Sequence, residues 1–122
     1  MNKSVSIFML FAFLSSPFAS AAGDAKKGKL VYGAQCIACH SINVNKDGPA
    51  HRGVFGRKVA AVADFDYSPA LKKSKLVWNA KTLDKWLSNP EKLIPGQRMG
   101  FAVAKAQDRE DVIAYLKSEA SK

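Results

Sequence analysis

Two cysteines and a histidine carry the most specific chemistry that the chain offers. Cys36 and Cys39 are the only cysteines, and His40 follows them directly. The spacing Cys-x-x-Cys-His is that of covalent haem c attachment. On the turn after a helix, thiols three residues apart can reach both vinyl groups of one porphyrin, while the adjacent imidazole faces the iron from the same side. The motif therefore predicts one haem c, bound through both cysteines, with His40 as an iron ligand.

Two other kinds of chemistry use the same residue types. A thioredoxin-like redox pair has its cysteines at the start of a helix that follows a strand, whereas a helical pattern precedes this motif. A zinc site needs four ligands, and those that the chain offers are Cys36, Cys39, His40 and His51. Neither alternative accounts for the long loops and the positive charge of the remaining chain, so haem attachment is favoured over both.

The second axial ligand is predicted by elimination. A low-spin haem iron needs a strong ligand opposite His40, and the chain after residue 22 contains one methionine, Met99, and one further histidine, His51. Met99 lies in the turn-rich segment IPGQRMGF, although the usual role of a methionine is to fill the core. His51 follows His40 by 11 residues and is expected on the same side of the ring. We therefore predict Met99 as the ligand, with His51 as the alternative.

The first 22 residues have the composition of a secretory signal peptide. Their only charge is Lys3, and an apolar run of ten residues precedes the small residues before Ala21 and Ala22. This pattern predicts export and cleavage near these alanines, since the run is too short to span a bilayer comfortably. An uncleaved membrane anchor is the alternative. The predicted mature domain is 23–122, which is the length of one domain.

The predicted mature domain is strongly basic. It has 18 Lys and Arg against 10 Asp and Glu, a net charge of +8, because the signal segment removes only Lys3. Such a field attracts acidic protein surfaces or anionic lipid and raises association rates. Nucleic acid is not expected, because the protein is predicted to be exported and its lysines are spread along the chain. A surface charged only for solubility is the alternative.

The chain has helical patterns separated by long, turn-rich segments. Helices are predicted to begin after Asp24, Ser68 and Asn79, and a last helix spans the segment QDREDVIAYLKSEA. No segment alternates at period two, so the predicted fold class is all-α. The segments 41–67 and 91–101 are predicted as long loops, and loops of this kind in small domains usually wrap around something.

Residues 23–121 resemble class I cytochrome c, in the mitochondrial-like branch that includes bacterial cytochrome c2. Five motifs carry the resemblance, and they occur in the order of the family: CIACH, GPAHRGVFGR, FDYSPALKKSKLVW, TLDKWLSNPEKLIPGQRMGF and REDVIAYLK. The resemblance implies the cytochrome c fold. In that fold the N- and C-terminal helices cross, and short helices and long loops wrap around one covalently bound haem.

The resemblance also implies a role for each residue of the site. Cys36 and Cys39 would carry the thioether bonds, and His40 and Met99 would be the two ligands of the iron. The carbonyl of Pro49 would accept a hydrogen bond from the His40 ring, which fixes its tautomer.

Further residues correspond to family positions around the haem. Arg57, Tyr67 and Trp78 match positions that bind or shield the haem propionates, and Phe101 matches a residue at the exposed haem edge. Trp86 stands where many members have a tyrosine that hydrogen-bonds the methionine sulfur.

Other correspondences concern the helix crossing and two departures from the family. The family positions where the first and last helices cross correspond to Gly28, Tyr32, Val112 and Tyr115. A close approach of the two helices there explains the glycine in mid-helix. His51 stands where the family usually has leucine, and Leu71 where mitochondrial members often have asparagine.

The resemblance implies that the chain is not an enzyme. It would instead be a soluble, monomeric electron carrier in the periplasm. It would shuttle single electrons between a bc1-type complex and a terminal oxidase or photosynthetic reaction centre, and would meet the membrane only transiently through these partners. Lysines near the haem edge would steer acidic partner surfaces; the candidates are Lys26, Lys27, Lys46, Lys92 and Lys105. A haem enzyme or sensor with a displaceable sixth ligand and a thiol–disulfide oxidoreductase are the alternatives.

Overall fold

The structure of the protein, a computed structural model, describes residues 22–122. These residues form five helices: α1 (Ala25–Gln35), α2 (Pro69–Lys73), α3 (Ala80–Ser88), α4 (Pro90–Leu93) and α5 (Ala106–Ala120). They contain no strand, only an isolated bridge between Lys58 and Val77. The predicted all-α class is therefore confirmed. Residues 1–21 of the predicted signal segment lie outside the described residues.

None of the helices within residues 22–122 has both the length and the hydrophobicity that crossing a membrane requires.

Helices α1 and α5 pack closely against each other, as the resemblance implies. Gly28 is buried at the contact, and a Cβ atom there would lie 1.9 Å from the carbonyl oxygen of Asp111. Tyr32 and Tyr115 meet beside it with their ring centroids 5.4 Å apart. Val112 is 1% exposed, and burying a valine contributes about 2 kcal/mol. The close approach explains why the helix has a glycine where alanine would favour helix formation by about 1 kcal/mol.

The predicted helix starts are confirmed by their caps. The Asp24 carboxylate accepts hydrogen bonds from the backbone N–H groups of Lys26 and Lys27, and these bonds lower the pKa of Asp24. The Ser68 hydroxyl accepts from the backbone of Leu71, and Asn79 forms a capping box in α3. Such caps satisfy donors that the first helical turn leaves unpaired.

The second predicted loop contains a helix that the sequence patterns did not indicate. Helix α4 occupies Pro90–Leu93 and so overlaps the start of the stretch 91–101 that was predicted as turn-rich. The Asn89 side chain accepts a hydrogen bond from Lys92 N at 3.0 Å. The prediction that this stretch is only loop was wrong because Pro90 both ends α3 and occupies the first position of α4, where proline is favoured.

The long segment between α1 and α2 is packed rather than loose. Val54 and Val59 are 5% and 6% exposed. Its backbone pairs with the segment before α3, since Gly56 N–H donates to Trp78 O at 2.6 Å and Val59 N–H donates to Leu76 O at 3.0 Å. The loop is therefore a fixed wall of the domain, and its inner surface faces the site.

Candidate functional site

A cavity of about 750 Å³ lies between the long loops and the crossed helices. Its volume is within the range of small-molecule and cofactor sites. All of the site residues predicted from the sequence line it: Cys36, Cys39, His40, Pro49, Arg57, Tyr67, Trp78, Trp86, Met99 and Phe101.

The turn after α1 brings the cysteines and His40 together. Cys36 N–H donates to Tyr32 O at 2.9 Å, and Cys39 N–H and His40 N–H both donate to Cys36 O at 3.2 and 2.9 Å. Cys36 is half-buried and Cys39 is exposed, and both are free thiols. Burial raises the pKa of Cys36 to about 11. Redox-active cysteine pairs have a lowered pKa instead, so this environment favours covalent attachment over thiol exchange.

The His40 ring is fixed by its hydrogen bond and by close packing. Its Nδ1 lies 2.9 Å from the carbonyl oxygen of Pro49, which can only accept, so Nδ1 carries the proton and Nε2 is left as a ligand atom. A Cβ atom at Gly48 would lie 2.1 Å from His40 Cε1. Burial lowers the pKa of His40, although the hydrogen bond to Pro49 partly opposes that change. The ring is therefore held neutral and oriented, as a metal-binding histidine requires.

His51 stacks on His40 and does not approach it from across the cavity. The two ring centroids are 4.1 Å apart and the planes are inclined by 22°. The Tyr32 hydroxyl and His51 Nδ1 share a hydrogen bond of 3.0 Å. Burial, with the nearby His40 and Arg57, lowers the pKa of His51 to about 3, so its ring is neutral. The sequence placed His51 near His40, but nothing in it indicated the contact with Tyr32.

Met99 reaches the same cavity from a segment 59 residues after His40. Its side chain is half-buried, and its backbone N–H donates to Gln97 Oε1 at 2.5 Å. The segment follows the Pro95-Gly96 turn, where Gly96 has a φ of 88°, a conformation that favours glycine. The fold therefore places the His40 imidazole and the Met99 thioether around one cavity.

Arg57 presents an unpaired donor beside the cavity. Its Nη1 donates to Arg52 O at 2.9 Å and its Nη2 donates to Ala50 O at 3.0 Å. Its Nε is buried and has no hydrogen-bond partner within the described part of the chain. An orphaned charged donor of this kind is costly, and an acidic group of a ligand would satisfy it.

The aromatic residues divide into buried walls and an exposed edge. Trp78 and Trp86 are 7% and 9% exposed, and their centroids are 5.3 Å apart. Tyr67 is also buried, and its hydroxyl accepts a hydrogen bond from Val62 N at 3.2 Å. Phe101, by contrast, is 46% exposed. The cavity therefore has apolar walls and opens to solvent beside Phe101.

The predicted docking lysines are exposed, but none of them lines the cavity: Lys26, Lys27, Lys46, Lys92 and Lys105. Lys46 donates through its ammonium group to the carbonyl of Ile37, within the haem-attachment turn. Ile37 is itself 52% exposed. An apolar and basic surface therefore adjoins the motif.

The zinc alternative finds no support in the geometry. Within residues 22–122, no three or more His, Cys, Asp and Glu side chains are placed to hold a metal ion together.

Known proteins resemble this chain over most of its length. The family model of cytochrome c matches residues 25–120. Cytochrome c 2.1 of Caenorhabditis briggsae is 47% identical over 104 residues, covering 83% of this chain and 93% of that protein. Cytochrome c of Gibberella zeae is 45% identical over 101 residues, covering 80% and 95%. The solved structure of cytochrome cH from Methylobacterium extorquens matches with a TM-score of 0.74 and 41% identity, covering 79% of this chain and 99% of that one.

The residues around the cavity fit the haem c that these relatives imply. Cys36 and Cys39 have the attachment spacing on one turn, and the backbone of Gly48 leaves just the room that the His40 ring needs. The buried Arg57 Nε has the charge that a haem carboxylate needs. The chain belongs to the cytochrome c family, whose members bind haem c covalently and carry electrons.

Proposed function

We propose that this chain is an exported one-electron carrier in which Cys36 and Cys39 attach the haem and His40 and Met99 are its axial ligands. The observation that carries the proposal is that these four side chains line one cavity. Haem c with both axial positions filled exchanges an electron between Fe(II) and Fe(III) and transforms no substrate.

The surrounding side chains have distinct tasks in this proposal. The Pro49 carbonyl holds the proton on His40 Nδ1 and raises the basicity of Nε2. The Arg57 Nε donates to a propionate. The buried rings of Trp78 and Trp86 exclude water from the cavity. An apolar pocket and a thioether ligand both favour the reduced state and so raise the potential.

Export and partners belong to the same proposal. Residues 1–22 act as a signal peptide that is cleaved near Ala21 or Ala22, and domain 23–122 works in the periplasm as a soluble monomer. It shuttles electrons between a bc1-type complex and a terminal oxidase or photosynthetic reaction centre. The exposed Phe101 beside the cavity and the net charge of +8 for domain 23–122, 18 Lys and Arg against 10 Asp and Glu, support docking on acidic partner surfaces. Such contacts are small and short-lived.

Absorption spectroscopy of protein expressed with its full N-terminal segment tests the ligand set. We expect sharp c-type bands after reduction and the weak far-red band of methionine–Fe(III) ligation before it. Met99→Ala should lose the far-red band and bind cyanide and CO, because one axial position opens. Leu30→Ala, which removes an apolar side chain that is 75% exposed, is the matched control and should behave like the wild type.

Other spectra would identify the alternatives. If the wild type binds CO as readily as Met99→Ala, the chain is a haem enzyme or sensor with a displaceable ligand. If the wild type itself lacks the far-red band but has two strong axial ligands, Met99 is not the second ligand and His51 becomes the candidate. Colourless protein with two titratable thiols would instead indicate an oxidoreductase that uses Cys36 and Cys39.

The mass of the protein recovered from the periplasm tests export separately. Cleavage should leave Ala22 or Gly23 as the first residue. A membrane-bound product that retains residues 1–22 would show that the segment is an anchor.

A further inference from the structure

His51 is fixed by its backbone before its side chain makes any contact. Its N–H donates to Ser41 O at 3.0 Å, and its carbonyl accepts from Val54 N at 2.9 Å. Ser41 directly follows His40, so the first of these bonds ties residue 51 to the chain beside the proximal ligand. The stack of the two rings at 4.1 Å therefore results from backbone pairing as well as from ring packing.

The other contacts of His40 leave one movement of its ring open. The hydrogen bond to Pro49 fixes the position of Nδ1, and Gly48 lies over the ring at Cε1, since a Cβ atom there would be 2.1 Å from Cε1, 2.5 Å from Nδ1 and 2.6 Å from Nε2. These contacts touch the ring only on its Nδ1–Cε1 side, so the ring can still tilt away from them. The His51 ring, with its centroid 4.1 Å away and its plane inclined by only 22°, limits this tilt because it lies flat on the ring. His51 is the residue that provides this flat contact.

Tyr32 in turn fixes the plane of His51. Its hydroxyl is 3.0 Å from His51 Nδ1, and the two rings meet edge to face with centroids 5.7 Å apart. Tyr32 is 5% exposed and lies against Tyr115 at the crossing of α1 and α5. It is thus held by the two longest helices of the described chain and not by the loop. An aliphatic side chain at position 51 would fill space but could neither stack flat nor accept this hydrogen bond.

We propose that His51 is a positioning residue, through which the Tyr32 hydroxyl sets the plane of the His40 imidazole. The inference rests on the proposed role of His40 as an iron ligand. The plane of a ligand ring determines how its orbitals overlap with those of the metal. The helix crossing therefore holds Tyr32, Tyr32 holds His51, and His51 sets the angle of the His40 ring plane.

Three variants separate the parts of this support. His51→Leu removes both the stack and the hydrogen bond, His51→Phe keeps a flat ring without the ring nitrogen, and Tyr32→Phe removes only the hydroxyl. Tyr115→Phe is the matched control, because Tyr115 touches Tyr32 at the same crossing but has no ring contact or hydrogen bond with His51. The readouts are the paramagnetic NMR shifts of the His40 ring protons, the EPR g-values and the reduction potential of the haem-bound protein.

We expect His51→Leu to move the His40 shifts and g-values most, and Tyr32→Phe and His51→Phe to move them less in the same direction. The reduction potential of His51→Leu should differ from that of the wild type, and by more than the potentials of Tyr32→Phe and His51→Phe do. Because Tyr32 acts through His51, the double variant Tyr32→Phe/His51→Leu should equal His51→Leu alone. Tyr115→Phe should leave every readout unchanged.

Two results overturn the inference. One is wild-type NMR and EPR spectra in His51→Leu and Tyr32→Phe; the other is full additivity of Tyr32→Phe and His51→Leu. If His51→Leu fails to fold, the shifts of Tyr32→Phe and His51→Phe decide alone, and unchanged shifts in both reject it. Failure of the proposed function is seen separately, because the wild type itself would then lack histidine–methionine ligation.

Discussion

The loop that follows His40 and the segment that carries Met99 hold their predicted iron ligands in different ways. Around His40, the support comes from the loop itself and touches the ring directly. Pro49 fixes its Nδ1, Gly48 lies over the ring at Cε1, and His51 stacks flat on the ring. We call residues 41–57 the proximal loop.

Around Met99, the fixed points lie at the ends of the segment, which we call the distal segment (94–103). Ile94 and Val103 are 7% and 1% exposed. Between them, Arg98 forms an ion pair of 3.6 Å with Asp66, and both side chains are exposed, at 61% and 82%. Apart from Met99 itself, which is half-buried against the core, the middle of the distal segment is therefore held by contacts that water can replace.

The difference indicates that the two predicted axial ligands, His40 and Met99, do not have equal local stability. Segments with few buried contacts open at a smaller free-energy cost than the whole domain. We therefore expect the thioether side of the site to open first, while the imidazole side opens only with the loss of the domain. Four substitutions test this expectation, from the largest expected effect to the smallest.

Gly48→Ala should have the largest effect because it acts on the proximal loop. The new Cβ atom would lie 2.1 Å from His40 Cε1, and the ring cannot retreat from Pro49 and His51. We expect a loss of more than about 4 kcal/mol in the free energy of unfolding, or no stable holoprotein at all. Guanidinium unfolding and the yield of haem-bound protein measure this.

Gly33→Ala is the control for Gly48→Ala. Nothing lies within 4 Å of its added Cβ atom, and the residue is exposed in α1. It should stabilise the protein by up to about 1 kcal/mol, because alanine favours the helix. A Gly48→Ala protein as stable as this control would show that the proximal loop is not tightly fitted to His40.

Arg109→Leu should weaken the anchored end of the distal segment. Arg109 Nη1 donates to Val103 O at 2.9 Å and to Ala104 O at 3.1 Å, and its Nε lies 2.7 Å from Asp84 Oδ1. Losing these charge-assisted bonds should cost about 2 kcal/mol of unfolding free energy. The far-red methionine band should also disappear at a lower denaturant concentration than the helical signal.

Asp84→Asn separates the two contributions of Arg109. It removes the ion pair but leaves both carbonyl bonds of Arg109 in place, so its effect should be smaller. Equal losses in the two variants would mean that the ion pair, not the anchoring of Val103 and Ala104, stabilises this end.

The sequence predicted the features that depend on residues close together in the chain or on a single residue of its type. Asp24, Ser68 and Asn79 cap the helices whose starts they predicted, and each cap bonds within three residues. The motif Cys-x-x-Cys-His predicted its cofactor because the chemistry allows few spacings. Met99 was singled out because it is the only methionine after residue 22, and it does line the cavity, while its role as an iron ligand stays a prediction.

The contacts that the sequence did not predict depend on how distant elements meet. Tyr32 and His51 are 19 residues apart, and their hydrogen bond exists only because the helix crossing and the loop converge. The orphaned Nε of Arg57 depends on which carbonyls its other nitrogens reach. Helix α4 was missed for a local reason, because the stop signal Pro90 is also a start signal.

Glu119→Gln tests the outer anchor of the proximal loop, with a pH-dependent effect. Glu119 is 6% exposed at the end of α5 and pairs with Lys122 at 2.6 Å and with Arg52 of the loop at 3.6 Å. The hydrogen bond from Lys122 and the charge of Arg52 lower the pKa of Glu119 below 4.5. The stabilisation is therefore complete above that pH and is lost as the pH falls through the lowered pKa.

Unfolding midpoints of Glu119→Gln and the wild type should accordingly differ near neutral pH and converge as the pH falls below the lowered pKa of Glu119. A constant difference at every pH would mean that the lost contact is not ionic. Arg52→Gln should converge with the wild type only in part, because Arg52 also donates to Asn43 Oδ1 at 2.6 Å and to the backbone carbonyl of Glu119 at 3.4 Å, and these bonds do not depend on the charge of Glu119.

Asp66→Asn should have the smallest effect, although it removes the same kind of charge as Glu119→Gln. Asp66 is 82% exposed and pairs with Lys72 and Arg98, and a hydrogen bond from Lys72 lowers its pKa. Water and salt replace exposed ion pairs at almost no cost. The unfolding midpoint of Asp66→Asn and its affinity for cyanide should therefore match those of the wild type at physiological salt. Faster cyanide binding in Asp66→Asn would contradict the comparison, because an exposed ion pair would then hold the thioether in place. If cyanide binding is unchanged in Asp66→Asn while Glu119→Gln clearly lowers the unfolding midpoint, then burial and not charge distinguishes the proximal loop from the distal segment.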